Sequence, residues 1–339
     1  MVKLEEIFLH WLIDKAWEFQ TLALPNPSVG ALIADSNNQP LSYAIHQKSG
    51  EAHAELEALK LALITLGILK QEQCENLNPW ELCELILSSH QNALRDCSIF
   101  VTLEPCNHEG KTPSCAKLLA ELGIKRVFFS SYDLGKNSKG GGKYLQSKGI
   151  EVFGEVCERR GDALLYPFLC MREKGHFNLY KIAQRLNANY KQGQISDQSS
   201  KAFTHTQRGI AQSLIISGQT LLNDQPKLDL RHAFRKDKEQ IPVKILTTQN
   251  LEPKDYSCIN SHSISIHHNI SSLGLSSGFN LIEGGYTLLE SLRGQIDSVL
   301  LIFAPRFEGE SEKIAQKFDL KILHCSQRGE GDVFLWLQA

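Results

Sequence analysis

Gly50-Glu-Ala-His-Ala-Glu55, read with Glu104-Pro-Cys-Asn-His-Glu-Gly-Lys-Thr-Pro-Ser-Cys115, decides how the first half of this chain is organised. One imidazole at His53 and two potential thiolates at Cys106 and Cys115 form the borderline-soft set that holds a catalytic Zn²⁺ while leaving the fourth tetrahedral position open. Singly, these are a core His and two buried thiols. Together, with Pro105 before the first Cys and both halves at expected helix starts, they read as one split metal site. A closed structural site is the alternative, with His108 of the same loop as its fourth ligand. Residues i and i+2 of a regular helix do not share a face, so His53 and Glu55 reach one metal site together only at an irregular first turn.

At 339 residues the chain is long enough for two domains of roughly 150 residues each. Their expected bounds are 1–155 and 176–339, joined by a connector over 156–175. A 42% apolar, 22% charged composition without low-complexity tracts belongs to a globular protein. The net charge of -2 and scattered basic residues give no footprint for a polyanion, which argues against nucleic acid. No apolar run approaches the roughly 18 residues of a membrane span, and the first residues read as a helix rather than an export signal. A cytoplasmic protein is therefore expected. The Cys count of 9 then reads as reduced thiols, with only Cys106 and Cys115 in a ligand-like setting.

Helical spacing is expected over 4–22, strands over 29–34 and 41–45 around a hairpin at 35–40, and a helix over 53–66. Residues 71–96 form a polar insertion with an amphipathic segment at 80–87. A strand over 98–103, a helix over 115–122, a strand over 126–130, a helix over 143–148 and a strand over 151–153 complete a three-layer α/β/α domain with a largely parallel sheet. Residues 157–174 read as helix, with Gly175 as a hinge. The second half alternates again, with strands over 177–184, 214–217, 243–247, 263–266, 280–282 and 299–303 and helices over 201–211, 286–293 and 312–318.

His-x-Glu followed by Pro-Cys and a further Cys is the pattern of zinc deaminases, in which the Glu stays outside the metal shell as general acid/base. Zinc brings the pKa of bound water toward roughly 7, and Glu55 is placed to carry the proton to a departing amine. The implied reaction is hydrolytic deamination of an aminopyrimidine-like ring. The Asn26 amide offers itself to a ring edge, and His46, His108 and Lys111 to polar or anionic parts of a ligand; a turn Asn and solvated loop residues are the ordinary readings. Glu283-Gly-Gly285, between strand and helix, is either a turn or a phosphate site. Asp224 and Arg231 flank a segment that is otherwise a solvated charged loop.

These motifs, along nearly the whole chain, resemble the bifunctional deaminase-reductase of riboflavin biosynthesis. The carrying residues are Asn26-Pro-Ser-Val-Gly30, His46, Gly50, His53-Ala-Glu55 and Leu103 to Cys115, whose eight-residue gap between the cysteines is the family's spacing. The resemblance implies one Zn²⁺ on His53, Cys106 and Cys115, Glu55 as acid/base, and substrate contacts from Asn26, His46, His108 and Lys111. It implies a cytidine-deaminase-like first domain and a dihydrofolate-reductase-like α/β second domain that uses NADPH. There Lys181, Arg208, Asp224, Arg231 and Glu283 would contact substrate, and Thr220, Gly284 and Gly285 the cofactor. The substrate implied is a small phosphoribosylaminopyrimidine, and a homo-oligomer is expected. The chain departs from the family at Leu186-Asn-Ala188, where Leu-Asp-Gly is usual, and the following loop is several residues shorter. Two other readings stay open: deamination of a free nucleoside, base or tRNA, and a deaminase whose second domain only binds or assembles.

Overall fold

The computed structural model describes residues 3–135, 138–191, 193–259, 261, 263–315 and 317–339. The chain divides into two compact units, Met1–Tyr166 and Pro167–Ala339. Among the described residues no helix is long and apolar enough to cross a membrane.

The first unit runs α1 (Leu4–Trp17), β1 (Gly30–Ala34), β2 (Pro40–Ile45), α2 (Ala54–Thr65), α3 (Pro79–Ser89), β3 (Ser98–Leu103), α4 (Cys115–Glu121), β4 (Arg126–Ser131), α5 (Gly141–Ser147), β5 (Glu151–Phe153) and the start of α6 (Glu158–Lys174). The helix expected over 4–22 stops at Trp17, because Gln20 gives its amide to Leu164 O and Thr21 takes a left-handed backbone with φ 70°. The sheet order is β2-β1-β3-β4-β5. It is less parallel than expected: β1 is antiparallel to both β2 and β3, and only β3-β4-β5 run parallel. A hairpin enters the sheet first, so its second half alone is built of crossovers.

Leu32, Ala34, Phe100 and Phe128 pack with Leu9 and Leu12 of α1 on one face. The alternating Ala31, Ile33, Ile99 and Val101 are fully buried on the other, which α2 covers. Both faces of the central strands are thus dry, as a three-layer domain requires. The polar insertion is not loose. Asn78 caps α3, accepting from the N–H groups of Trp80 and Glu81, and Leu82, Cys83 and Ile86 are buried where α3 packs on α2 and α4.

Strand direction gathers the motif residues. Asn26 precedes β1, His46 follows β2, and Cys106 follows β3. The register Gly30↔Ile45 and Ala31↔Val101 puts these three exits at one end of the sheet. The β3 exit is held by Glu104, whose buried carboxylate accepts from Asp133 N at 3.2 Å and Gly142 N at 2.8 Å. There α5 comes so close that a Cβ on Gly141 would lie 1.8 Å from Pro105 O.

The second unit runs from the end of α6 through β6 (His176–Arg185), α7 (Gln198–Ile210), β7 (Ser213–Ser217), α8 (Gly218–Asp224), β8 (Val243–Leu246), β9 (Ile264–His267), β10 (Gly278–Glu283), α9 (Tyr286–Ser291), β11 (Ser298–Ala304), β12 (Lys321–Arg328) and β13 (Asp332–Gln338). Its sheet order is β12-β13-β11-β6-β10-β7-β8-β9. From β11 to β9 the strands are parallel, and β13 is antiparallel to β11 and β12. Tyr180, Ile182, Ile282, Leu288, Leu292 and Val299 centre its core. The helix expected over 312–318 does not form among the described residues of that stretch, Gln316 lying outside them. Its polar groups are captured elsewhere: Ala315 N donates to Glu290 Oε1, and Asn187 and Asn189 donate to the carbonyls of residues 308–310 just before it.

Gly141→Ala should lower stability by roughly 1–3 kcal/mol through overpacking. A thermal melt of the metal-free protein checks this, and an unchanged midpoint would show that the Pro105 turn yields freely.

Candidate functional site

His53 is the N-cap of α2, with extended φ/ψ of -66° and 158°, so its side chain leaves the helix axis where Glu55 begins the first turn. Cys115 is the first residue of α4, whose N-cap Ser114 accepts from Lys117 N and donates its own hydroxyl to Cys106 O at 3.0 Å. Two helix starts and one strand exit thereby converge. His53 Nδ1 lies 3.6 Å from Cys106 Sγ and 3.5 Å from Cys115 Sγ. Zn–S bonds of about 2.3 Å and a Zn–N bond of about 2.0–2.1 Å at tetrahedral angles require N···S separations of about 3.6 Å. The three side chains therefore fit zinc without rearrangement, and their ligand atoms all lie within 4.8 Å of one another. His108 is exposed and stands outside this group, so the closed four-ligand alternative loses its candidate.

A hydrogen bond joins the two thiols. The hydrogen bond from Cys115 holds Cys106 well below the usual thiol range, helped by His53, while the same bond and burial drive Cys115 upward. Cys115 N–H also points at Cys106 Sγ, 3.5 Å away. For His53, burial would lower the pKa, but the Cys106 hydrogen bond and the Glu55 charge outweigh it and raise it. Glu55 is 4% exposed, and burial pushes its carboxyl up to about 7. A carboxyl poised near neutrality is able both to take and to give a proton.

Asn26 and His46 belong to the same corner. Asn26 Nδ2 is 3.3 Å from His46 Nε2, Ser49 donates to Asn26 Oδ1, and the His46 and His53 rings lie edge to face at 5.7 Å. His46 Nδ1 is 3.0 Å from Ala52 O, which ties this ring to the approach of α2. Lys111, like His108, is exposed on the loop between the cysteines. Thr112, in sequence only the first residue of a Thr-Pro-Ser helix start, has its Oγ1 3.1 Å from His53 Nε2. Its only signal is the length of that loop.

In the second unit a cavity of about 540 Å³ opens at the carboxyl ends of β6, β7 and β10, where open α/β sheets place ligands. Lys181, Arg208, Thr220, Asp224, Glu283, Gly284 and Gly285 all line it. Arg231 does not; it lines a separate 260 Å³ cavity and pairs with Asp229 at 3.0 Å. Parallel register sets Lys181 beside Glu283, with 4.0 Å between Nζ and Oε2. Arg208 grips the same carboxylate through Nε at 2.8 Å and Nη2 at 2.7 Å. Burial alone would raise the Glu283 pKa, but Arg208 and Lys181 overcome it and hold it down at about 2. Burial lowers Lys181, and burial raises Asp224. Gly285 also serves packing, because a Cβ there would meet the Tyr190 ring at 2.4 Å.

The departure at Leu186-Asn-Ala188 is built into this fold. Asn187 Nδ2 donates to Glu308 O and Gly309 O, which an aspartate could not do, and Ala188 takes the left-handed φ of 61° that a glycine would adopt at less cost.

Residues 3–131 match the family described as the cytidine and deoxycytidylate deaminase zinc-binding region. The chain is similar to the riboflavin biosynthesis protein RibD of Aquifex aeolicus, 26% identical over 331 residues, covering 86% of this chain and 84% of that protein. Among solved structures it is similar to Acinetobacter baumannii RibD, form 1, at 21% identity and a TM-score of 0.62. It is also similar to the diaminohydroxyphosphoribosylaminopyrimidine deaminase/5-amino-6-(5-phosphoribosylamino)uracil reductase of Thermotoga maritima, at 20% identity and a TM-score of 0.63. Both alignments cover 98% of each chain, so the expected two-part α/β fold is the one this chain has.

Glu283 supplies a test of the second cavity's charge balance. Its folded pKa of about 2 lies below the ordinary 4.5, so its contribution is complete above pH 4.5 and is lost as pH falls toward 2. That contribution is on the order of 3 kcal/mol. Urea titrations across this window should show wild type losing more stability than Glu283→Gln; parallel curves would contradict the pairing.

Proposed function

We infer that this chain is a two-step enzyme of riboflavin biosynthesis: a zinc-dependent deaminase in its first unit and an NADPH-dependent reductase in its second. The observation that carries the reading is the His53, Cys106 and Cys115 cluster beside a buried Glu55, on a chain similar to RibD across both units. The first substrate is 2,5-diamino-6-(5-phosphoribosylamino)pyrimidin-4(3H)-one, which loses its C2 amino group as ammonia and gains a carbonyl. The second step converts the ribosyl group of that product to ribityl.

His53, Cys106 and Cys115 hold the metal in the first step. Zinc, when bound, supplies a Lewis acid that makes water nucleophilic at neutral pH. Glu55 accepts a proton at its carboxylate and delivers it to the leaving amine, a task suited to a group that burial has raised to about 7. Asn26 and His46 hold the ring edge, while His108 and Lys111, exposed on the loop, meet the polar and anionic parts of the phosphoriboside.

In the second unit the cavity falls within the roughly 300–1,000 Å³ usual for small-molecule sites, and its wall offers Thr220 and Asn223 beside the Lys181, Arg208 and Glu283 charges. NADPH, when bound there, supplies the hydride for C1′ of the opened sugar. Lys181 and Asp224 orient the sugar, and burial shifts the Asp224 carboxyl upward. Glu283 keeps Lys181 and Arg208 in place rather than standing free as a base. Arg231 would contact substrate only at the outer edge, from its neighbouring cavity. The deaminase-only alternative leaves this ordered charge cluster without a task. We place the enzyme in the cytoplasm, where the nine free thiols would remain reduced.

Glu55→Gln should cut ammonia release by roughly 10²–10⁴-fold while zinc remains bound. The same variant, given the already deaminated pyrimidine, should oxidise NADPH at the wild-type rate. Normal ammonia release in this variant would overturn the role of Glu55, and failure of wild type to oxidise NADPH would overturn the reductase half.

A further inference from the structure

Two residues separate the cysteines in the general zinc-deaminase pattern, whereas eight separate Cys106 from Cys115. His108 and Lys111 of this loop are assigned to the substrate, and the buried Ser114 caps α4; the buried Thr112 has no task in either. It is 9% exposed, between the exposed residues 108–111 and the helix start at Cys115. Asn107 N donates to Ser138 O at 2.9 Å and Ala116 N to Cys106 O at 3.0 Å, so the loop is anchored at both ends of its excursion, and within it Gly110 N donates to Thr112 O at 3.1 Å.

The His53 ring is read from both sides. Nδ1 faces the two sulfurs at 3.5 and 3.6 Å, and Nε2 faces Thr112 Oγ1 at 3.1 Å. Among the described residues Thr112 is the one hydrogen-bond partner of Nε2. An imidazole that ligates through Nδ1 carries its hydrogen on Nε2, so Nε2–H donates and the threonine oxygen accepts. Metal-bound histidines rely on such an acceptor to fix tautomer and ring orientation, and its loss typically weakens metal binding or activity.

We propose that the long connection between the cysteines delivers Thr112 as the outer hydrogen-bond acceptor of His53, making it a positioning residue for the metal. The loop that presents His108 and Lys111 to solvent thereby also sets the imidazole. This rests on the zinc reading above, and the test separates the two.

Zinc affinity of the full chain is measured by competition with a chromophoric chelator, alongside the visible spectrum of the Co²⁺-substituted protein. Thr112→Val keeps the shape and removes the acceptor. It should weaken zinc binding by roughly 10–100-fold and shift the cobalt bands. Thr112→Ser restores the hydroxyl and should return both readouts to near wild type. Wild-type affinity and an unchanged cobalt spectrum in Thr112→Val would overturn the proposal, as would a Thr112→Ser protein as weak as the valine variant. If Thr112→Val melts early in its metal-free form, Thr112→Ala against Thr112→Ser carries the same comparison. A wild-type chain that takes up no zinc would instead remove the metal reading itself.

Discussion

Three donor atoms from three separate elements meet with 3.5–3.6 Å between nitrogen and sulfur. The first unit is arranged to bring these atoms together. His53 is set by the start of α2, Cys115 by the start of α4, and Cys106 by the exit of β3, and each of these is pinned by something else. Glu104 ties the β3 exit to the backbone of Asp133 and Gly142, Ser114 joins α4 to Cys106 O, and the insertion helix α3 packs on both α2 and α4. Zinc binding at such a site would be linked to proton release, because its ligands bind in their deprotonated forms. Glu55 is buried deeply enough to disfavour its charged form, and the His53 beside it offsets part of that cost.

The second unit solves a different electrostatic problem. Glu283 is ionised in a buried position, against the direction burial would push it, because Arg208 grips it bidentately and Lys181 stands beside it in register. Breaking such a group is costly since the remaining charges lose their partner. The carboxylate therefore acts as the keystone of a cationic wall. That wall faces the cavity where β6, β7 and β10 end, the place at which a phosphorylated sugar and a dinucleotide would need fixed charge and shape.

How much of this was legible depends on the range of the interactions. The metal ligands and Glu55 were readable because their chemistry is local: two short motifs at helix starts. Asn26 and His46 were readable as candidates, but their proximity follows from the β1–β2–β3 register, which no spacing announces. Thr112 was invisible because its role depends on a ring 59 positions earlier in the chain. In the second unit, Lys181, Arg208 and Glu283 were named singly, yet their function as one ion cluster needed the β6–β10 pairing. Residues 312–318 have helical spacing, yet their described residues form no helix: Ala315 N bonds to Glu290, and asparagines of the shortened loop take the carbonyls just before the stretch. Local preference was outbid there by tertiary hydrogen bonds. The fate of Arg231 is similar, since its Asp229 partner draws it to another cavity.

The altered Leu186-Asn-Ala188 turn bears on whether both reactions belong to the chain. It is accommodated by hydrogen bonds that suit asparagine, and it leaves the Lys181–Glu283–Arg208 cluster intact. Both proposed reactions can therefore run in sequence on one polypeptide. The most direct measurement follows ammonia and NADPH together in zinc-loaded protein given the diaminopyrimidine phosphoriboside. One NADPH should be oxidised for each ammonia released, with NADPH oxidation lagging behind. Ammonia release with no NADPH consumed would contradict it.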